Sequence, residues 1–180
     1  MTTLVEWAGK SIRRKPLGAF GGTLVLFMLA LAVFASVLQN FDPVEPHYGD
    51  RLVNTSGAYW LGTDQFGRDI YSRLLHGVRV SMLVGFSAIS IAAIVGGVIG
   101  VIVGYWGGLL DLVVQRFVDI LMAFPTIIMA MVVVTALGTS LLTLIFAIAL
   151  VQSPNISRIT RAVTLSIRER QYVDAARSVG

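Results

Sequence analysis

Few residues in this sequence are of the types that make or break covalent bonds, and none is grouped to do so. His47 and His76 are isolated, no paired carboxylates share a loop suited to acid–base work, and no Ser, His and Asp grouping can be argued. Cysteine is absent, which excludes a disulfide framework and a thiolate metal site. Gly9-Lys10-Ser11 ends like a phosphate-binding loop, but the glycine needed five positions before Gly9 is Leu4 and no strand precedes it, so the chain itself is expected to bind no ATP and no other cofactor or metal. Asn54-Thr55-Ser56 is a formal glycosylation sequon, relevant only in a eukaryotic secretory pathway. What is left is the chemistry of association. Gln171-Tyr-Val-Asp-Ala-Ala-Arg-Ser-Val-Gly180 sets an acid at Asp174 beside the small Ala175 and Ala176, with Gly180 four positions later. That spacing predicts a short helix with a smooth face that another protein can approach closely, ended by a glycine suited to a helix terminus.

Such a surface has to be presented by something, and composition says what. With 56% hydrophobic and 13% charged residues, the chain carries more apolar surface than one small soluble core can hide. The net charge of +4 does not point to nucleic acid, because the basic residues gather at the two ends and in one connecting loop, as membrane topology requires. Four spans are expected. The first, 17–39, is long enough to cross a hydrocarbon core of roughly 30 Å. Lys10, Arg13, Arg14 and Lys15 precede it and put residues 1–16 in the cytoplasm. A cleaved signal peptide is the competing reading, but the small-x-small signature Ala30-Leu31-Ala32 lies inside the apolar run. An outer loop, 40–80, leads to the second span, 81–106. The third, 117–137, and the fourth, 140–153, are divided at Gly138-Thr139-Ser140, because a single helix across both would overrun a bilayer. Residues 154–180 then form a cytoplasmic segment carrying Arg158, Arg161, Arg168, Arg170 and Arg177, on the same side as Arg116.

Four motifs sit on this frame. In the outer loop, Thr63 or Asp64 can cap a short amphipathic helix with Asp64–Arg68 and Asp69–Arg73 pairs at i,i+4, and an interfacial connector is favoured over direct substrate contact. In the second span Ala88, Ala92, Gly96, Gly100 and Gly104 recur every four residues, a stripe of small side chains that admits a close helix neighbour, within this chain in preference to across a subunit interface. Asp119, the one carboxylate inside an apolar run, invites a proton-relay reading; its position near the cytoplasmic end favours pairing with Arg116. After the fourth span, Ile156, Ile159, Val163 and Ile167 recur at helical spacing among arginines, giving an amphipathic helix that either docks a protein or lies on anionic lipid.

Three of these stretches carry a specific resemblance. Asp174-Ala-Ala-x-x-x-Gly180 resembles the "EAA" loop of ABC importer permeases, with Asp174 where that family usually has the longer Glu. Arg161-Ala-x-x-Leu-Ser-x-x-Glu169 and Tyr172-Val-x-Ala-Ala are similar to one continuous signature of the same loop. Leu61-Gly-Thr-Asp-x-x-Gly-Arg-Asp69, followed by Ser72-Arg-Leu and Arg79-Val-Ser, closely resembles the hallmark of the dipeptide, oligopeptide and nickel branch, and within it the second, C-type subunit. Asp119-Ile-Leu-Met-Ala-Phe-Pro125 is similar to the family's third-span pattern, where proline bends the helix.

The resemblance implies an all-α integral membrane fold, a type I ABC importer transmembrane domain showing four of six expected spans, and hence a fragment. It implies multi-pass placement in a bacterial cytoplasmic membrane and a related B-type permease subunit as partner. Two ATPase subunits would hold ATP and magnesium, and an outer binding protein would deliver a peptide, nickel chelate or related solute. Arg170, Tyr172, Asp174, Ala175, Ala176 and Gly180 would make or shape the ATPase contact. The rival reading from another class is a membrane scaffold or small channel whose C-terminal helix lies on lipid. A secondary transporter is less supported, because the spans offer no charge near the midplane for ion coupling.

Overall fold

The computed structural model describes residues 16–179; within its last helix the side chains of residues 174, 176, 177 and 179 fall outside the description. The N-terminal basic cluster, the Gly9-Lys10-Ser11 tripeptide and Gly180 therefore lie outside the described residues. Among the described residues the regular structure is helical apart from one isolated bridge between Thr63 and Asp69, and most of 39–69 is turns and irregular backbone. It resolves into two compact units, Met1–Leu83 and Val84–Gly180.

The first unit opens with α1, Pro16–Leu38, in which proline occupies the first helical position, where its missing N–H is no loss. The helix carries no charge, and its large side chains, Phe20, Phe27 and Phe34 among them, are exposed, the pattern of a helix surrounded by lipid. The segment from Gln39 to Asp69 folds around the sequence motif. Buried Thr63 donates its hydroxyl to the Asp50 carbonyl at 2.5 Å and accepts the Val53 N–H at 2.8 Å. Gly62 and Gly67 have positive φ of 76° and 79°, which the turns on either side of Asp64 demand. Asp64 accepts the backbone N–H groups of Phe66 and Arg68 at 2.8 and 3.0 Å, the Arg68 Nε at 2.9 Å and the Arg73 guanidinium. Burial pushes the Asp64 carboxyl up, but the two backbone N–H groups and Arg68 outweigh it and hold the group at about 2.

Two expectations for this loop are corrected. The helix is capped by Asp69, not by Thr63 or Asp64: Asp69 Oδ2 accepts the Ser72 N–H at 2.9 Å and the Ser72 hydroxyl at 2.6 Å, while the Ser72 oxygen in turn accepts the N–H groups of Asn40 and Phe41 at 3.2 Å. Asp69 is thus committed to the cap, and Arg73 pairs with Asp64 instead. The short amphipathic helix is also no separate element. It is the start of α2, Ile70–Trp106, whose 37 residues rise about 56 Å, because no proline interrupts the hydrogen-bond ladder after Asp69.

In the second unit α2 ends at a corner made by Gly107 and Gly108, both left-handed with φ of 65° and 61°. The third expected span is two helices, α3 (Gly108–Ala123) and α4 (Thr126–Leu137), bent by 92°. Pro125 is the cause: it pushes Phe124 into extended backbone, φ −82° and ψ 137°, and ends the helix before it. Gly138, with φ 89°, and Ser140, whose hydroxyl accepts the Thr143 N–H at 3.1 Å, turn the chain into α5, Leu141–Arg168. The helix does not end where the fourth span is expected to end, at residue 153. α5 runs through Pro154, which is buried inside the helix and leaves the Leu150 carbonyl without its usual N–H donor.

Packing against α2 explains the continuity of α5. A methyl group added at Gly96 would stand 2.5 Å from the Ser153 carbonyl oxygen, and one at Gly100 2.6 Å from that of Ser157. At Gly104 it would meet the Thr164 Cβ at 2.8 Å. The stripe of small residues is thus a groove for α5, and backbone-to-backbone contact along it offsets the hydrogen bond lost at Pro154. The core of the unit is correspondingly built of small and β-branched residues: Ala88, Ala92 and Val103 on α2, Val118 on α3, and Ala147, Ala149 and Val151 on α5. α3 and α4 both pack on α5.

Among the described residues three helices are long and apolar enough to cross a membrane, Pro16–Leu38, Ile70–Trp106 and Leu141–Arg168, and the bent pair α3–α4 makes a fourth if it is one broken span.

Candidate coupling site

The sequence places association chemistry at the end of the chain, and the structure gives that end a definite support. α5 stops at Glu169, whose N–H, like that of Arg170, bonds back to the Ile167 carbonyl. After this joint the chain turns into α6, Gln171–Val179, with the Val173 N–H on the Arg170 carbonyl at 2.9 Å. Arg170 is exposed at the joint, and Tyr172 and Ala175 are exposed on α6. The backbone of Asp174 and Ala176 lies in α6; their side chains, and Gly180, are outside the described residues.

What the sequence did not disclose is how α5 is held behind this helix. Arg161 grips Asp111 with a two-pronged contact, Nε to Oδ1 at 2.6 Å and Nη2 to Oδ2 at 2.5 Å, and the two side chains are only 27% and 18% exposed. Arg158 Nη2 donates to Asp119 Oδ1 at 2.5 Å, so Asp119 pairs across helices, not with the expected Arg116. Arg168 Nη1 donates to the carbonyls of Gly104 and Tyr105 at 3.3 and 3.1 Å, where the end of α2 exposes carbonyls that no helical N–H satisfies. These partners lie 39 to 64 residues away in the chain, so no local pattern could reveal them. The available signal was the spacing of the arginines: steps of three and seven residues turn by about 300° and 700°, which puts all three on one stripe.

Of the four positions in the apolar row, Ile156 packs on α2 against Gly96, while Ile159, Val163 and Ile167 are exposed and Arg161 and Arg168 turn inward. Two cavities accompany these elements. An open cleft of about 650 Å³ beside the start of α2 is lined by Leu52, Gln65, Ile70 and Leu74 with the Asp64–Arg68–Arg73 cluster. An apolar pocket of about 190 Å³ lies between α2, α3 and α5 beside Pro154. Among the described residues no group of His, Cys, Asp and Glu could hold a metal.

Residues 96–180 match the family described as the inner membrane component of binding-protein-dependent transport systems. That stretch contains the glycine groove, the arginine contacts and α6. Residues 96–180 belong to this family. Its relatives include a dipeptide transport system permease protein, DppC, of Alkalihalophilus pseudofirmus, 36% identical over 99% of this chain and 60% of that protein. They also include a glutathione transport system permease protein, GsiD, of Pectobacterium atrosepticum, 34% identical over 93% of this chain and 56% of that protein. A probable D,D-dipeptide transport system permease protein, DdpC, of Escherichia coli is 34% identical over 94% of this chain and 57% of that protein. The chain therefore spans somewhat under two thirds of the length of these relatives. Among the described residues the regular structure is all helical, and the long apolar helices together with these permease relatives make it a multi-pass membrane protein.

Proposed function

We propose that the chain is the permease part of an ATP-driven ABC importer, lining some of the path by which peptides or related small solutes cross a bacterial cytoplasmic membrane. The observation that carries the reading is α6: a nine-residue helix standing off the end of a long, laterally anchored helix, with Tyr172 and Ala175 exposed. Arg170, Tyr172, Asp174, Ala175, Ala176 and Gly180 form the contact with an ATPase subunit. ATP and magnesium are held there, not on this chain, which is not an enzyme. A B-type permease partner completes the path, and an outer binding protein supplies the substrate. The names of the relatives, which specify dipeptides, D,D-dipeptides and glutathione, support a peptide-like substrate. The N-terminus, the α2–α3 corner and α6 lie on the cytoplasmic side by the positive-inside bias.

The direction of the α5 arginines disfavours the scaffold reading. A helix resting on anionic lipid points its cations at the headgroups, whereas Arg161 and Arg168 are turned onto Asp111 and the carbonyls of α2. In the full transporter, combining Asp174→Lys with Gly180→Trp should abolish co-purification of the ATPase subunits while the permease still reaches the membrane. Undiminished ATPase recovery with that double variant would overturn the docking role.

A further inference from the structure

A helix that carries force from a docking surface must be gripped more firmly along its length than at its tip. The α5–α6 joint is two residues long and is held by backbone hydrogen bonds to Ile167 and Arg170. Upstream, α5 lies in the glycine groove of α2, where Ile156, Thr160 and Thr164 and backbone carbonyls of α5 meet glycines; these van der Waals contacts permit close approach but have none of the directionality of an ion pair. Resistance along the helix axis has to come from directional contacts, and the structure has three on a single stripe.

Resting on the permease reading above, we propose that Arg161, assisted by Arg168 and Arg158, is a positioning residue that locks the inner half of α5 to the α2–α3 corner. A displacement received at α6 then moves the spans instead of being absorbed as sliding in the groove. Arg161 is central on three grounds. It is more enclosed than Arg158, its fork fixes both oxygens of Asp111, and Asp111 lies in the first turn of α3, where the helix dipole favours a carboxylate. Arg168 adds a second point, on the last carbonyls of α2 and directly under Gly107, where a Cβ would lie 3.0 Å from its Nη1. Arg158 and Asp119 are about half exposed, so their pair is the weakest of the three.

The test uses the complete transporter reconstituted in liposomes, with ATP hydrolysis, transport and ATPase co-purification measured together. Arg161→Gln and Asp111→Asn should each retain ATPase subunits and hydrolysis but lower transport per ATP by about five- to tenfold. The double variant should be no worse than the poorer single one, because both remove the same contact. Arg158→Gln should lower the ratio by about twofold or less. An unchanged ratio in Arg161→Gln, additive losses in the double variant, or loss of ATPase subunits in parallel with transport would each overturn the proposal. Should Arg161→Gln fail to assemble, Arg161→Lys keeps the charge and loses the fork; a wild-type ratio in that variant would equally overturn it. Absence of ATPase subunits from the wild-type preparation would instead refute the permease reading, so the two failures are separable.

Discussion

Asp64 shows how much of a recognisable motif can be spent on shaping backbone. Its carboxylate accepts the N–H groups of Phe66 and Arg68 on either side of Gly67 and binds two guanidinium groups, one of them from α2. Because the folded group is held at about 2, below its ordinary 3.8, the associated stability is complete above about pH 4 and is lost as the pH falls through 2. Partial exposure and screening reduce it to roughly 1–2 kcal/mol. In a variant retaining Trp60 as the single tryptophan, the fluorescence of this ring, 5.0 Å from Tyr71, should report loosening of the outer segment between pH 4 and 2. Asp64→Asn should show that loosened signal already at pH 5 and no further transition; a wild-type profile in Asp64→Asn would disprove the assignment. The sequence displayed Asp64–Arg68 as an i,i+4 pair, and that pair exists at 2.9 Å. It could not display the exchange of Arg73 from Asp69 to Asp64, because the choice depends on Asp69 being consumed by the Ser72 cap.

At the level of elements, the four-residue recurrence of small side chains in α2 was readable, since a stripe on one helix face is a local property. What fills it was not. The groove predicts a sharp contrast between neighbours: a methyl group added at Gly97 would point into open space, whereas one at Gly100 would meet the Ser157 carbonyl oxygen at 2.6 Å and the Thr160 Cβ at 2.7 Å. Gly100→Ala should therefore destabilise the protein by about 1–3 kcal/mol through overpacking. Gly97→Ala should be neutral or gain up to about 1 kcal/mol in helix propensity. Thermal melts in detergent check this, and equal melting temperatures for the two variants would contradict the groove. The two prolines differ: Pro125 ends a helix where a bent continuous span was expected, and Pro154 sits inside α5, one residue past the expected end of the fourth span. The local rule is the same for both; the difference is that α5 at Pro154 is pressed against α2 and is held there by tertiary contact.

For the whole molecule, the absence of cysteine makes orientation directly measurable. Thr55→Cys in the exposed outer loop should react with a membrane-impermeant maleimide in intact cells, and Ser178→Cys on α6 only after the membrane is opened. Labelling of Ser178→Cys from outside would invert the topology and remove the basis for ATPase docking. Fold class and membrane placement were readable from composition and apolar run lengths, because lipid imposes both on any sequence. The arrangement around α5 and the α2–α3 corner was not, since it rests on arginine contacts across 39 to 64 residues whose side chains, read singly, signify only the inner face of a membrane.

The tight turn at Gly138–Ser140 also bears on biosynthesis. α4 has 12 residues and rises only about 18 Å, little more than half a hydrocarbon core, so it is a poor candidate to leave the translocon alone. Its three-residue connection to α5, against which it packs, allows the pair to partition into lipid as one preassembled hairpin. Membrane entry of α4 would then wait until α5 has emerged from the ribosome, and a long hydrophilic insertion after Gly138 should strand α4 at the bilayer surface.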